Sequence, residues 1–101
     1  MIDAQQAERI AGAYIRELEA NAGFPLRLTK HLEAPFAWVF CYESEAYLES
    51  GNFSLRLVGN APFLIDVVDS SIHTLGTARP VEVYIQEYGA SRGRTQENTF
   101  A

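Results

Sequence analysis

The spacing of the apolar residues changes twice along this chain of 101 residues. Between positions 7 and 18 they recur every three or four residues, which is typical of an amphipathic helix. After Pro25 they alternate with polar residues, as in strands, and helical spacing returns at 81–88. The links between the predicted strands are too short for a crossover helix, so neighbouring strands must be antiparallel. We expect an α+β fold: a single antiparallel sheet of four to five strands, with an N-terminal helix and a short C-terminal helix packed on it.

Capping residues indicate where the two helices begin and end. Asp3 can accept hydrogen bonds from the first turn and Gly23 can adopt a left-handed conformation, so the first helix is predicted at about 4–21. Pro80 suits the start of the second helix, and Gly89 is expected to end it. The chain length allows one domain, and the polar composition after this helix predicts a flexible tail. The expected division is a domain at 1–89 and a tail at 90–101.

The strand pattern is strongest in the middle of the chain. Residues 37–42 are bulky and apolar on both faces, which predicts a central strand. The preceding segment alternates, so one face of its strand is expected to carry Leu26, Leu28, Lys30 and Leu32. A helical turn is predicted between Ser44 and Gly51. Further strands are predicted at 54–58, 63–68 and 72–75.

Composition excludes several classes of function. The formal net charge is -5 and Lys30 is the single lysine, so nucleic acid is not an expected partner. No apolar run is long enough to cross a bilayer, and residues 1–20 do not resemble a signal peptide. Cys41 is the single cysteine, which excludes an intramolecular disulfide. We expect a cytoplasmic protein that binds neither nucleic acid nor membrane.

A catalytic or metal site has little support in the sequence. A cysteine nucleophile needs a base within hydrogen-bonding reach and an oxyanion hole, and no motif marks either. Cys41 lies in the most hydrophobic segment, where a free cysteine usually acts as a small buried apolar residue. No histidines stand three or four residues apart as metal ligands. No catalytic residue, metal or cofactor is predicted; the residues from which a site could be built are Cys41, His31, His73 and Asp66.

The densest acidic segment also carries aromatic residues, a combination suited to protein binding. Carboxylates attract a basic partner, and tyrosines can act as desolvated anchors in an interface. The alternative is a solvated turn whose aromatic residues belong to the core. The predicted contact set is Tyr42, Glu43, Glu45, Tyr47 and Glu49.

The segment from Trp38 to Tyr88 resembles the immunity protein 35 family, also called YrhB-like. The resemblance rests on the order and spacing of turn and core residues over about half the chain. Besides the segment Tyr47 to Gly51, the matching residues include Trp38, Gly59, Asn60, Pro62, Asp66, Gly76, Pro80 and Tyr84.

This resemblance implies a small α+β immunity protein of bacterial polymorphic toxin systems. Such proteins resemble stoichiometric inhibitors that bind a cognate toxin domain without turnover. The family provides no catalytic residue to assign to this chain, and it fixes no toxin contact. A second interpretation stays open, namely a small chaperone-like or stress-related protein that binds unfolded clients.

Overall fold

The computed structural model describes residues 1–57 and 61–100, with residues 92–100 described by their backbone alone. The described residues form three α-helices, four β-strands and one 3-10 turn. The helices are α1 (Ala4–Ala22), α2 (Glu45–Ser50) and α3 (Val81–Phe100), and the 3-10 turn is Phe53–Leu55. The strands are β1 (Leu26–Ala34), β2 (Ala37–Ser44), β3 (Phe63–Asp66) and β4 (Ile72–Thr74). The predicted α+β class is confirmed.

Helix α1 begins and ends at the residues that its sequence indicates. The Asp3 side chain accepts a hydrogen bond from the Gln6 amide, and the Gln6 side chain accepts one from the Asp3 amide. This capping box satisfies two amides that the helix leaves without intrahelical partners. Gly23 ends the helix in a left-handed conformation with φ 83°. Local sequence therefore sets both ends of α1.

The strands form one antiparallel sheet in the order β1-β2-β3-β4. A strand is predicted at 54–58, but the start of this segment belongs to the 3-10 turn instead. Residues 58–60 lie outside the described residues. The Asn52 side chain accepts a hydrogen bond from the Ser54 amide and thereby caps that turn. The Arg56 amide then bonds the Phe53 carbonyl. Side-chain capping has thus overridden the alternating pattern.

The two long helices lie on opposite faces of the sheet. Phe40 belongs to the apolar cluster under α1, whereas the adjacent Val39 belongs to a second cluster under α3. Successive side chains of a strand point to opposite faces, so each cluster marks one face. The predicted apolar stripe of α3 supplies the second cluster with Val81, Tyr84, Ile85 and Tyr88.

A β-bulge changes the faces that β1 presents. The pairing with β2 shifts between Leu28, which lies opposite Tyr42, and Lys30, which lies opposite Cys41. The extra residue places Leu28 in the cluster under α1 and Leu32 in the cluster under α3. The expectation that the four alternating residues share one face is therefore wrong.

Helix α3 continues to Phe100, beyond the end predicted at Gly89. The absence of a side chain at Gly89 serves packing, because an added Cβ would lie 2.8 Å from the Phe36 ring. A glycine inside a helix costs about 1 kcal/mol and does not necessarily end it. That residues 90–101 are flexible stays a prediction.

Candidate functional site

Helix α2 lies at the end of the sheet, next to the start of β1. Ser44 caps it by accepting a hydrogen bond from the Tyr47 amide at 3.3 Å, and Gly51 ends it with φ 71°. The Glu45 amide bonds the Pro25 carbonyl at 3.1 Å and so attaches the helix to the chain that enters β1. The six residues of α2 are all described, and none of them is buried. The predicted helical turn is confirmed, and its surface faces solvent.

Glu45 and Glu49 form an acidic pair on this surface. They stand four residues apart, so they share one side of the helix. One Nη2 atom of Arg27 lies 3.2 Å from a Glu45 carboxylate oxygen and 3.1 Å from a Glu49 oxygen. The side chain of Glu49 is 64% exposed and that of Glu45 39%. Two carboxylates thus share one guanidinium group, and the pair carries a net negative charge.

Glu43 has a different role from these two residues. One of its carboxylate oxygens accepts hydrogen bonds from the amides of Ser44 and Leu57, each at 2.8 Å. The other oxygen lies 4.0 Å from Arg56 Nε, and the side chain is only 12% exposed. Glu43 therefore joins the end of β2 to the segment that follows the 3-10 turn. Sequence reasoning placed it in the contact set without this structural role.

The two tyrosines of the predicted contact set occupy different environments. Tyr42 packs 6.2 Å from the Phe63 ring in the cluster under α1. Burial raises the pKa of its hydroxyl, and the neighbouring Tyr14 adds to the effect. Tyr47 lies edge-on to Phe53, with ring centroids 5.8 Å apart, beside α2. Tyr47 stands two residues from both Glu45 and Glu49, so it lies on a different side of α2 from the acidic pair, and Tyr42 packs into the core.

An apolar groove lies beside α2, and sequence reasoning missed it. Its volume is about 420 Å³. Phe24 and Leu55 line it and are 42% and 43% exposed. The sequence pattern predicts that Leu55 belongs to a strand, and nothing in that pattern indicates that Leu55 lies beside Phe24. The apolar groove is lined by Phe24, Pro25, Ser44, Ala46, Ser54, Leu55, Arg56 and Leu57.

Several residues that carry the family resemblance stabilise the turns around α3. An added Cβ at Gly76 would lie 2.4 Å from the Tyr84 ring, so this close approach requires glycine. The Tyr84 hydroxyl accepts hydrogen bonds from the amides of Ala78 and Arg79, each at 3.1 Å. Pro80 directly precedes α3. These residues hold the loop between β4 and α3 in place.

The remaining residues of the resemblance are distributed along the sheet. The Pro62 carbonyl accepts a hydrogen bond from the Leu75 amide at 2.8 Å. Trp38 is half-buried in the cluster under α1, and its Nε1 finds no hydrogen-bond partner among the described residues. Gly59 and Asn60 lie outside the described residues.

Asp66 is a buried carboxylate at the end of β3, with an exposed fraction of 3%. Its Oδ1 accepts a hydrogen bond from the Val68 amide at 2.8 Å, and its Oδ2 accepts one from the Tyr88 hydroxyl at 2.7 Å. The first bond closes the turn after β3, and the second attaches α3 to the sheet. Asp66 therefore caps the turn that follows its own strand.

His73 continues this network beside the turn. Its Nε2 lies 2.7 Å from the Ser71 hydroxyl and 3.2 Å from the Tyr88 hydroxyl. Ser71 donates its proton to Asp69, and this bond is the main reason that the pKa of Asp69 is lowered. The turn after β3, strand β4 and helix α3 therefore meet in one network of polar side chains.

The candidate cysteine site is not assembled. Cys41 lies opposite Lys30 on β1, whereas His31 lies opposite Phe40, whose side chain points to the other face of the sheet. His73 and Asp66 are instead both bonded to Tyr88. Among the described residues, no group of three His, Cys, Asp or Glu side chains could hold a metal ion.

Burial determines the expected reactivity of the Cys41 thiol. Desolvation raises its pKa, and the nearby Lys30 only partly opposes this. The thiolate is the reactive form of cysteine. At pH 8 we therefore expect iodoacetamide to alkylate Cys41 at least about tenfold more slowly in the folded protein than in the protein unfolded by urea. Mass spectrometry of timed samples measures both rates. Equal rates in the folded and unfolded chains would contradict the expectation.

Comparison with known proteins shows the family to which the chain belongs. Residues 5–90 match the family described as Immunity protein 35, and the chain belongs to that family. A relative described as the uncharacterized protein YrhB of Escherichia coli (strain K12) is 46% identical over 68 residues, which are 67% of this chain and 72% of the relative. Immunity proteins are generally not enzymes. No solved structure matches the chain.

The helices were also compared with the requirements of a membrane span. Within the part of the chain that the structure describes, none combines the length and apolar character needed to cross a bilayer.

Proposed function

We propose that this protein is a cytoplasmic immunity protein that binds a cognate toxin domain and blocks it without turnover. Membership of the Immunity protein 35 family supports this function. The packing of Cys41 and the histidines also supports it, because they do not form a nucleophile and its base. Inhibition by binding requires an exposed surface of suitable chemistry and no catalytic group.

The surface that suits this role is α2, and one observation carries the assignment. The acidic pair is exposed on a helix without buried residues, directly beside the apolar groove. An interface combines an apolar centre with a charged rim that steers and orients the partner. Of the predicted contact set, Glu45 and Glu49 lie at this surface, whereas Tyr47 lies on another side of α2, against Phe53. Tyr42 packs in the cluster under α1, and Glu43 accepts hydrogen bonds from the backbone amides of Ser44 and Leu57.

The test is charge reversal of the acidic pair. Because the gene of an immunity protein is expected to adjoin that of its toxin, the probe is the toxin domain encoded by the neighbouring gene. We expect Glu45→Lys combined with Glu49→Lys to weaken binding to this domain about 10- to 100-fold and to reduce the protection of cells that express it. Lysines at these positions would repel the basic partner that the carboxylates attract. Calorimetric titration with that toxin domain measures the affinity.

The matched control reverses two exposed glutamates of α1, Glu8 and Glu17, which gives the same change in net charge. This control is expected to bind within about threefold of the unaltered protein. Glu43 is left intact because its substitution would release two backbone amides. Equal affinity of the two double variants would contradict the placement on α2.

The apolar groove also favours the second candidate function, a chaperone that binds unfolded clients, because clients expose apolar side chains. A chaperone of this kind would suppress the aggregation of a heat-unfolded model protein at stoichiometric concentration. The gene of such a chaperone would not need to lie beside a toxin gene. We expect no such suppression, and light scattering during heating measures it.

A further inference from the structure

The apolar groove is part of a concentrated exposed apolar area. Six large apolar side chains of the described residues are exposed, and four of them lie around α2 and the 3-10 turn. Phe24 precedes β1, Leu48 belongs to α2, and Phe53 and Leu55 belong to the turn. Phe53 is 71% exposed. Exposed apolar residues that cluster beside a concave surface are typical of binding sites.

The groove is large enough to take a large side chain, and most of its lining is apolar. About 420 Å³ of space is bounded by Phe24, Pro25, Leu55 and Leu57 on its apolar sides. Ala46, Arg56 and two serines, Ser44 and Ser54, complete the lining. An aromatic or branched aliphatic group would be desolvated on several sides here, as an interface anchor is.

The acidic pair beside the groove favours a partner with a basic residue close to the inserted side chain. Glu45 and Glu49 present four carboxylate oxygens, and the contacts with Arg27 use one oxygen of each. Ala46 lines the groove and directly follows Glu45 in α2. One helical turn rises about 5.4 Å, so the acidic pair lies within about two turns of the anchor site. A basic side chain at this spacing would complete the cluster.

From these features we infer the chemistry of the partner, an inference that rests on the proposed function. The toxin domain inserts an aromatic or branched aliphatic side chain into the apolar groove and places a lysine or arginine from the same segment on Glu45 and Glu49. A second copy of this chain suits the surface less well, because it carries the same acidic pair and a net charge of -5. An unfolded client would use the apolar contact without requiring the basic residue.

The first experiment tests this chemistry with a displayed library of random dodecapeptides selected on the unaltered protein. We expect enriched peptides to carry Lys or Arg within four positions of an aromatic or branched aliphatic residue. Binding should fall at least tenfold on Leu55→Ser. On Glu45→Gln combined with Glu49→Gln, the preference for basic residues should be lost. Enrichment of apolar peptides without basic residues, or unchanged binding to Leu55→Ser, would overturn the inference.

Matched variants separate loss of the groove from loss of folding. Val68 is 66% exposed and lies in the turn after β3, at the end of the sheet away from α2, so Val68→Ser is the control. A second groove variant, Ala46→Gln, narrows the cavity at an exposed helix position, and Ala13→Gln on α1 is its control. Circular dichroism confirms that each variant is folded. Both groove variants should lose binding, and both controls should keep it.

The second experiment uses the toxin domain encoded by the neighbouring gene as the probe. If the unaltered protein binds it and the groove variants bind at least tenfold more weakly, the inference is supported. If the groove variants bind as tightly as Val68→Ser, the inference is overturned and the proposed function stands. If the unaltered protein does not bind or protect, the proposed function fails and the toxin is excluded as occupant. The peptide selection then decides the chemistry of the groove by itself.

Discussion

Replacement of Phe63 by alanine is expected to lower the free energy of unfolding by about 3–5 kcal/mol, the usual range for truncation of a buried aromatic residue. Phe63 is 1% exposed and lies at the centre of the cluster under α1. Its ring centroid is 4.6 Å from that of Tyr14, 5.7 Å from that of Phe40 and 6.2 Å from that of Tyr42. The cavity would therefore remove contacts to α1 and to β2 together. For a chain of this length, the melting temperature should fall by more than about 10 °C.

Phe53→Ala is the matched control for this prediction. The same side chain is removed there, but Phe53 is 71% exposed, so the loss should stay within about 1 kcal/mol. Denaturation in urea, followed by circular dichroism, gives both free energies of unfolding. Similar losses in the two variants would show that the cluster under α1 is not the main core of the protein.

Replacement of Asp66 by alanine is expected to lower the free energy of unfolding by about 2–4 kcal/mol. The carboxylate accepts hydrogen bonds from the Val68 amide and the Tyr88 hydroxyl, and each buried donor left without an acceptor costs about 1–3 kcal/mol. The second bond also attaches α3 to the sheet. Hydrogen exchange of the α3 amides should therefore accelerate more than exchange in α1.

Two further variants isolate the effect of burial at Asp66. Asp69 accepts a hydrogen bond from the amide two residues later, as Asp66 does, but it is exposed, so Asp69→Ala should be less destabilising. Adding Tyr88→Phe to Asp66→Ala should recover part of the loss, because the hydroxyl that has lost its carboxylate acceptor is removed. A fully additive double variant would contradict this account of the buried pair.

The elements that local sequence determines were predictable. Asp3, Gln6 and Gly23 determine the ends of α1, and Ser44 and Gly51 determine those of α2. The antiparallel order followed from short links between strands. The bulge in β1 was not predictable, because the alternation of Leu26, Leu28, Lys30 and Leu32 continues through it. Only the pairing with β2 shows where the register shifts.

The candidate site was predictable in composition but not in geometry. The density of glutamates identified α2 as a charged surface. It could not distinguish the exposed Glu49 from Glu43, in which one carboxylate oxygen accepts hydrogen bonds from the amides of two separate segments. The apolar groove depends on the approach of Phe24 to Leu55, which are distant in sequence and belong to no common pattern. The two segments are held by separate contacts, the Glu45 amide on the Pro25 carbonyl and the Leu57 amide on the Glu43 carboxylate.

The positions of the helices have a consequence for how partner choice can evolve. Because α1 and α3 cover the two faces of the sheet, a partner docked at α2 reaches the core at its edge, through Leu57, which lines the groove and packs against the cluster under α1. Substitutions at exposed positions of α2 should therefore alter recognition while the free energy of unfolding changes little. One scaffold of this kind can acquire new targets by mutation of a single short helix, without an accompanying repair of its interior.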